Sequence, residues 1–197
     1  MDFTKVKTSL EKEGFKVSCF DTKEDAASYL KNSISGKTIG FGGSVTLQQM
    51  GLYDILKENN TVYWHWIEKT PAIMKAAAFA DVYVSSVNGL AETGEIINID
   101  GSGNRVAATM YGHEKVYLVA GRNKIAEDFH KAYDRAKNIA APLNAKRLNM
   151  NTPCAVKGDR CYNCSSKDRI CTETAVLTYC PMKADYEVIL INEELGY

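Results

Sequence analysis

The chain has 197 residues, of which 45% are hydrophobic and 24% charged, and this composition predicts a single globular domain over residues 1–197. Basic and acidic residues balance at 24 each, which gives no reason to expect nucleic acid or an anionic membrane as a partner. No apolar run is long enough to span a bilayer and the N-terminus lacks a secretory signal, so we expect a cytoplasmic protein with reduced thiols.

The first forty residues predict two helices that alternate with two strands. Apolar residues at helical spacing predict an amphipathic helix over residues 3–13. A short strand follows at residues 16–20. Thr22 then caps a helix that runs to about residue 32, and residues 38–41 have the character of a buried strand.

The turn after this last strand is a candidate ligand-binding site. Gly42 and Gly43 are followed by Ser44, whose side chain can cap the next helix. A strand, glycines and a helix start present free backbone N–H groups to an anion, and glycine lets the anion approach closely. The spacing fits neither the dinucleotide-binding pattern nor the Walker A pattern. The alternative interpretation is an ordinary tight turn between a strand and a helix.

A candidate catalytic carboxylate follows a later strand. The sequence predicts a strand at residues 61–66, a helix over 70–80 and a buried strand at 81–87. Asn88 begins the turn after that strand, which places Glu92 just beyond the strand's carboxyl end, where open α/β sheets bind ligands. We expect the glycine turn to open onto the same cleft. The alternative is that Glu92 is a solvated loop residue.

A β-hairpin is predicted directly after Glu92. Residues 96–99 and 106–109 are its two arms, and residues 100–104 are a run of turn-forming residues between them. Hairpin strands at the edge of a parallel sheet would make that sheet mixed.

The C-terminal half predicts two more strands and the longest helix. Residues 115–120 and 187–191 have strand character, and the helix begins after Gly121 with an apolar stripe that continues to Ala140. A basic residue at a helix start opposes the helix dipole, so Arg122 is a candidate contact for an anionic ligand. Strands and helices alternate almost throughout, which predicts an α/β layered fold with a mixed, mostly parallel sheet flanked by helices.

Five of the six cysteines fall within residues 154–180. Clustered cysteines in a reducing compartment indicate metal or redox chemistry more than structural disulfides. Four thiolates can hold one zinc ion or an iron–sulfur cluster. Free buried thiols and a redox disulfide are the alternatives. The candidate metal ligands, spaced C-x6-C-x2-C-x6-C, are Cys154, Cys161, Cys164 and Cys171.

The order of these motifs resembles that of the lactate-utilisation (LUD) domain family. The likeness lies in Gly-Phe-Gly-Gly-Ser-Val-Thr-Leu at residues 40–47, Ala-Glu-Thr-Gly at 91–94, Asp-Gly-Ser-Gly-Asn-Arg at 100–105 and the helix through 141–148. The cysteine pattern at 158–171 is similar to the tail of the short, single-domain members. The resemblance implies the fold shared by ribose-5-phosphate isomerase, glucosamine-6-phosphate deaminase and the CoA transferases, and a cytoplasmic role near bacterial L-lactate oxidation.

Two functions follow as hypotheses. The first is an accessory subunit of a lactate-oxidising or hydroxy-acid-oxidising system, which holds a small carboxylate or phosphate and a metal centre. The second is an isomerase-like or CoA-transferase-like enzyme, because Glu92-Thr93-Gly94 is similar to the Glu-Asn-Gly turn that carries the nucleophile of class I CoA transferases. The expected protein partners are other subunits of such a system or further copies of this chain. The candidate ligand-binding residues are Gly42, Gly43, Ser44, Asn88, Thr93, Gly94 and Arg122.

Overall fold

The computed structural model describes residues 1–182 and 185–197, in which helices and strands alternate along most of the chain. The helices are α1 (Thr4–Lys12), α2 (Lys23–Ser33), α3 (Val45–Gln49), α4 (Leu52–Lys57), α5 (Pro71–Ala78), α6 (Asn104–Ala108), α7 (Phe129–Arg135), α8 (Ala141–Arg147) and α9 (Pro153–Lys157). The strands are β1 (Lys16–Phe20), β2 (Thr38–Phe41), β3 (Thr61–Tyr63), β4 (Val82–Ser86), β5 (Gly89–Ala91), β6 (Ile96–Asp100), β7 (Lys115–Gly121), β8 (Ile125–Ala126), β9 (Glu173–Leu177) and β10 (Asp185–Ile191). Among these described helices, none is both long enough and apolar enough to cross a membrane.

A parallel sheet of six strands forms the centre of the structure, in the order β1-β10-β7-β4-β2-β3. Successive residues of β10 face opposite sides of it. Val188 packs in the same cluster as Leu10 of α1, whereas Ile189 packs in the same cluster as Leu30 of α2. Helices therefore cover both faces, as a parallel sheet requires, and the predicted α/β layered fold is confirmed.

The predicted hairpin at residues 96–109 is wrong in its second arm. The first arm is β6, but Asn104–Ala108 is the helix α6. The reason is that the Asp100 carboxylate accepts a hydrogen bond from the backbone N–H of Arg105 (2.9 Å), which satisfies one of the free donors at a helix start. β6 pairs antiparallel with β5 and β9 instead. With β8, these strands form a separate four-stranded sheet in the order β8-β5-β6-β9, so the antiparallel pairs lie outside the main sheet.

The strand predicted at residues 61–66 ends early, at Tyr63. The carbonyl of Trp64 accepts a hydrogen bond from the backbone N–H of Ile67 (3.0 Å), which closes a turn in place of a strand. Trp64 and Trp66 therefore lie in the turn beyond the carboxyl end of β3, and their side chains do not alternate between the two faces of the sheet.

The longest helical segment begins at Phe129, where Asp128 caps α7, rather than after Gly121. The residues between them form a 3₁₀ turn and then β8. The prediction that Arg122 stands at the start of this helix is therefore wrong. A π-helical turn at Ala136–Ala140 joins α7 to α8.

A buried carboxylate connects several elements of the main sheet. Glu187 of β10 is 5% exposed and accepts hydrogen bonds from Ser18 (2.7 Å), Tyr29 (2.7 Å) and Lys115 (3.1 Å). Burial by itself would raise the pKa of the Glu187 carboxyl, but the hydrogen bonds from Tyr29, Ser18 and Lys115 outweigh burial and lower the pKa below its ordinary value. This side chain ties β1, α2 and β7 to β10.

Candidate functional site

A cavity of about 1080 Å³ opens at the carboxyl ends of the parallel strands. Gly43, just after β2, and Trp64, just after β3, line it from the main sheet. Asp100 at the end of β6 and the loop that follows it line a second side, and Arg147 at the end of α8 lines a third. Open α/β sheets bind ligands at this position, and the volume is that of a ligand site. We call this space the large cavity.

Arg105 is a buried cation in the wall of the large cavity. It is 9% exposed, and its guanidinium donates hydrogen bonds to the side-chain oxygens of Asn88 (2.9 Å) and Asn98 (3.0 Å) and to the carbonyl of Ile99 (2.6 Å). These acceptors are all neutral. The carboxylate of Asp100 accepts from backbone N–H groups instead. Across residues 1–182 and 185–197, no carboxylate forms an ion pair with Arg105.

The absence of a side chain at Gly42 leaves room for the Arg105 side chain. A Cβ atom added to Gly42 would lie 2.6 Å from the Ser85 hydroxyl oxygen and 3.1 Å from Cγ and Cδ of Arg105. A Cβ atom added to Gly43 would lie 3.0 Å from Trp66 Nε1. Side chains of the protein therefore lie close to both glycines. The glycines therefore admit Arg105 and Trp66 to the cavity wall, and Gly43 also lines the cavity itself.

Aromatic side chains form one wall of the large cavity. The rings of Trp64 and Trp66 stack with centroids 5.4 Å apart, and the Arg147 guanidinium lies 4.5 Å from the centroid of the Trp66 ring. Arg147 also donates a hydrogen bond to the side-chain oxygen of Asn144 (2.8 Å). His65 lines the cavity beside them, and burial lowers the pKa of its imidazole, which keeps it neutral at neutral pH. The basic side chains that line the cavity near these rings are therefore those of Arg147 and Lys69.

Lys124 is a second buried basic side chain near the glycine turn. It is 3% exposed, and its amine donates hydrogen bonds to the hydroxyl groups of Thr46 (2.8 Å) and Ser86 (2.6 Å). Burial, reinforced by the charges of Arg135 and Arg105, holds the pKa of the Lys124 amine well below its ordinary value. The amine therefore ties the start of α3 to the end of β4 as a hydrogen-bond donor.

Of the predicted ligand-binding residues, one lines the large cavity and two lie next to its wall. Gly43 lines it. Ser44 caps α3 by accepting a hydrogen bond from the backbone N–H of Leu47 (3.2 Å), as predicted. Asn88 holds the Arg105 guanidinium in place. The glycine turn and the turn after β4 therefore do converge, and they converge on Arg105.

Glu92 lies elsewhere, and the expectation that it shares a cleft with the glycine turn is wrong. Its carboxylate pairs with Lys5 of α1 at 2.8 Å. Within the described parts of the chain, residues 92–94 do not line the large cavity. The physical reason is that β5 pairs with β6 and β8 in the second sheet, which carries the turn after it towards α1. Arg122 is likewise outside the lining and forms an exposed ion pair with Glu194 at 3.6 Å.

The four candidate cysteines line a second, smaller cavity of about 190 Å³. Lys137 and Arg169 line it with them. In the part of the chain that the structure describes, no group of three or more His, Cys, Asp or Glu side chains is arranged to hold a single metal ion. We call this space the cysteine cavity; its thiols belong to Cys154, Cys161, Cys164 and Cys171.

Comparisons with known proteins agree on the family and the fold. A family model described as LUD domain matches residues 3–191. A crystal structure of a DUF162 family protein from Deinococcus radiodurans has a TM-score of 0.52 and 12% identity, covering 97% of this chain and 99% of that one. Ribose 5 phosphate isomerase A from Neisseria gonorrhoeae has a TM-score of 0.34 and 14% identity over 53% of each chain, a likeness too low for any conclusion. A search of curated proteins found no match. At 12% identity, the Deinococcus structure establishes a shared fold and nothing about ligands.

Proposed function

This chain belongs to the LUD domain family, and on that premise we propose that it binds a small organic anion, a carboxylate or a phosphate ester, in the large cavity. The proposed setting is the oxidation of lactate or another hydroxy acid, as an accessory component that works beside other subunits. The family resemblance supports this setting. The contacts within the large cavity support the binding.

The observation that carries the proposal is a pair of guanidinium groups at one cavity. The Arg105 guanidinium donates its hydrogen bonds to neutral oxygens. The Arg147 guanidinium lies over the Trp66 ring and donates a hydrogen bond to the neutral side chain of Asn144. Within the described residues, neither guanidinium forms an ion pair with a carboxylate. Guanidinium groups form strong, charge-assisted hydrogen bonds to carboxylate and phosphate oxygens. An anionic ligand in the large cavity would give these two guanidinium groups a negatively charged partner.

The shape of the large cavity indicates what else the ligand carries. Its volume of about 1080 Å³ exceeds what a lactate ion fills, since drug-sized ligands occupy cavities of roughly 300–1,000 Å³. The stacked rings of Trp64 and Trp66 offer a flat apolar surface next to Arg147. A ligand whose anionic group meets the arginines and whose apolar or ring portion lies along the tryptophans would use both features.

Calorimetric titration tests this proposal. Lactate, inorganic phosphate and CoA are titrated separately into the wild-type protein and into two variants. Arg147→Gln removes one positive charge from the cavity lining. Lys146→Gln removes a positive charge from the adjacent exposed position, which does not line the large cavity within the described residues. A charge-assisted hydrogen bond contributes about 1.5–3 kcal/mol, so Arg147→Gln should weaken binding by roughly 10- to 100-fold.

The control variant should bind within about twofold of wild type, because an exposed charge outside the cavity is screened by salt. Equal affinities of wild type and Arg147→Gln for every anion that binds would refute the assignment of this cavity. Binding of none of the three probes would also count against it.

A further inference from the structure

The chain between α9 and β9, residues 158–172, contains neither helix nor strand. It nevertheless carries three of the four cysteines of the cysteine cavity, and the fourth, Cys154, comes from α9. A segment of this length without regular structure is uncommon inside a domain and is typical of functional loops or of linkers. A bound centre is a physical reason for such a segment to hold one conformation, because metal binding and local folding are coupled.

Hydrogen-bond donors are directed at these thiols. The backbone N–H of Asn163 donates to Cys161 Sγ (3.3 Å), and Arg169 donates to Cys171 Sγ (3.5 Å) and to the carbonyl of Cys164 (3.2 Å). Donors that point at sulfur are the surroundings that stabilise metal-bound thiolates and tune the centre they hold.

We propose that the cysteine cavity holds a [4Fe–4S] cluster whose ligands are Cys154, Cys161, Cys164 and Cys171. A single zinc ion with Zn–S bonds of about 2.3 Å would bring its four sulfurs to about 3.8 Å from one another, with no space left between them. The cavity that these four cysteines line together with other residues measures about 190 Å³, the volume of several water molecules, which leaves room for a cage of iron and sulfide. When bound, such a cluster supplies one-electron transfer, and Lys137 and Arg169 would offset its negative charge.

The cysteine cavity also shares a wall with the large cavity, since Ile99 and Ile170 line both. The backbone N–H of Thr172 donates to the carbonyl of Asp100 (2.9 Å), and its hydroxyl donates to the carbonyl of Gly101 (2.9 Å). The segment that carries the cysteines is thus bonded to the loop that lines the large cavity. The cluster would therefore lie beside the anion, yet its assembly needs no anion, so either proposal can fail while the other stands.

Anaerobic reconstitution of the full chain with ferrous iron, sulfide and a thiol reductant tests the proposal. We expect about four iron and four sulfide per chain, and a broad visible absorption band that bleaches on reduction with dithionite. Cys164→Ser should lose most of the iron and the band. Cys180→Ser is the matched control, because Cys180 packs near Gly14 and Tyr179 rather than in the cysteine cavity, and it should keep both.

Three outcomes would overturn the cluster. One is a wild-type protein that holds about one zinc per chain and takes up no iron and sulfide. Another is equal iron and sulfide in Cys164→Ser and Cys180→Ser. The third is no uptake of iron or zinc by the wild type. Because the first and third measurements use the unmodified chain, a Cys164→Ser variant that fails to fold leaves the test intact.

Discussion

Replacing Gly42 by Ala should destabilise the protein through one identifiable contact. The added Cβ would lie 2.6 Å from the Ser85 hydroxyl oxygen and 3.1 Å from Cγ and Cδ of Arg105. Ser85 is fully buried and Arg105 is held by hydrogen bonds to Asn88 and Asn98, so neither can move aside freely. Overpacking of this kind costs about 1–3 kcal/mol. For a protein of this size, that corresponds to a fall of about 2–12 °C in melting temperature.

Urea unfolding measures this effect in the wild type, in the single variants Gly42→Ala, Gly43→Ala and Ser85→Ala, and in the double variant Gly42→Ala/Ser85→Ala. Gly43→Ala is the control, because its Cβ would meet Trp66 Nε1 at 3.0 Å, on a side chain that borders open cavity space and can shift. It should cost less than Gly42→Ala. Ser85→Ala removes the atom nearest the new Cβ.

A double-mutant cycle, completed with Ser85→Ala alone, isolates the contact. Neighbouring residues that clash show coupling energies of about 0.5–3 kcal/mol, so the double variant should be more stable than the sum of the two single losses. Strict additivity would refute the reasoning, and so would a Gly43→Ala loss as large as that of Gly42→Ala. Either result would mean that Arg105 and Ser85 do not limit the space above Gly42.

Three further predictions use other parts of the structure. Ser44→Ala should lower the free energy of unfolding by about 1 kcal/mol through loss of the α3 cap, measured in urea; no change would show that the cap is not stabilising. Glu92→Gln removes the solvent-exposed pair with Lys5 and should change the melting temperature little, while anion titrations stay unchanged; weaker binding would instead place Glu92 in the ligand site. The pKa of Glu187 is lowered in the folded state, so its contribution to stability is present above the unfolded pKa of about 4.3 and is lost as pH falls through the folded pKa. Stability curves against pH should therefore be flatter on the acid side for Glu187→Gln, and an unchanged acid slope would contradict this.

Part of the site could be predicted from short stretches of sequence. Gly43 and Asn88 follow buried strands, and the carboxyl ends of neighbouring parallel strands meet at one edge of a sheet, which is why the sequence places Gly43 at the cavity and Asn88 beside Arg105. Arg105 and Arg147 were missed as site residues. Arg105 stood in the Asp-Gly-Ser-Gly-Asn-Arg motif, but the hairpin interpretation treated that motif as a turn between strands.

The local patterns of the sequence determined the strands of the main sheet, most helices and the clustering of cysteines near the C-terminus. These features depend on residues a few positions apart, whose burial and hydrogen bonding follow from spacing. Only the tertiary structure decided that β5 and β6 leave the main sheet, because strand pairing depends on partners far away in the sequence, such as β9. As a result of that pairing, Glu92 lies beside Lys5, Arg105 lies in the wall of the large cavity, and Ile170 lines both cavities.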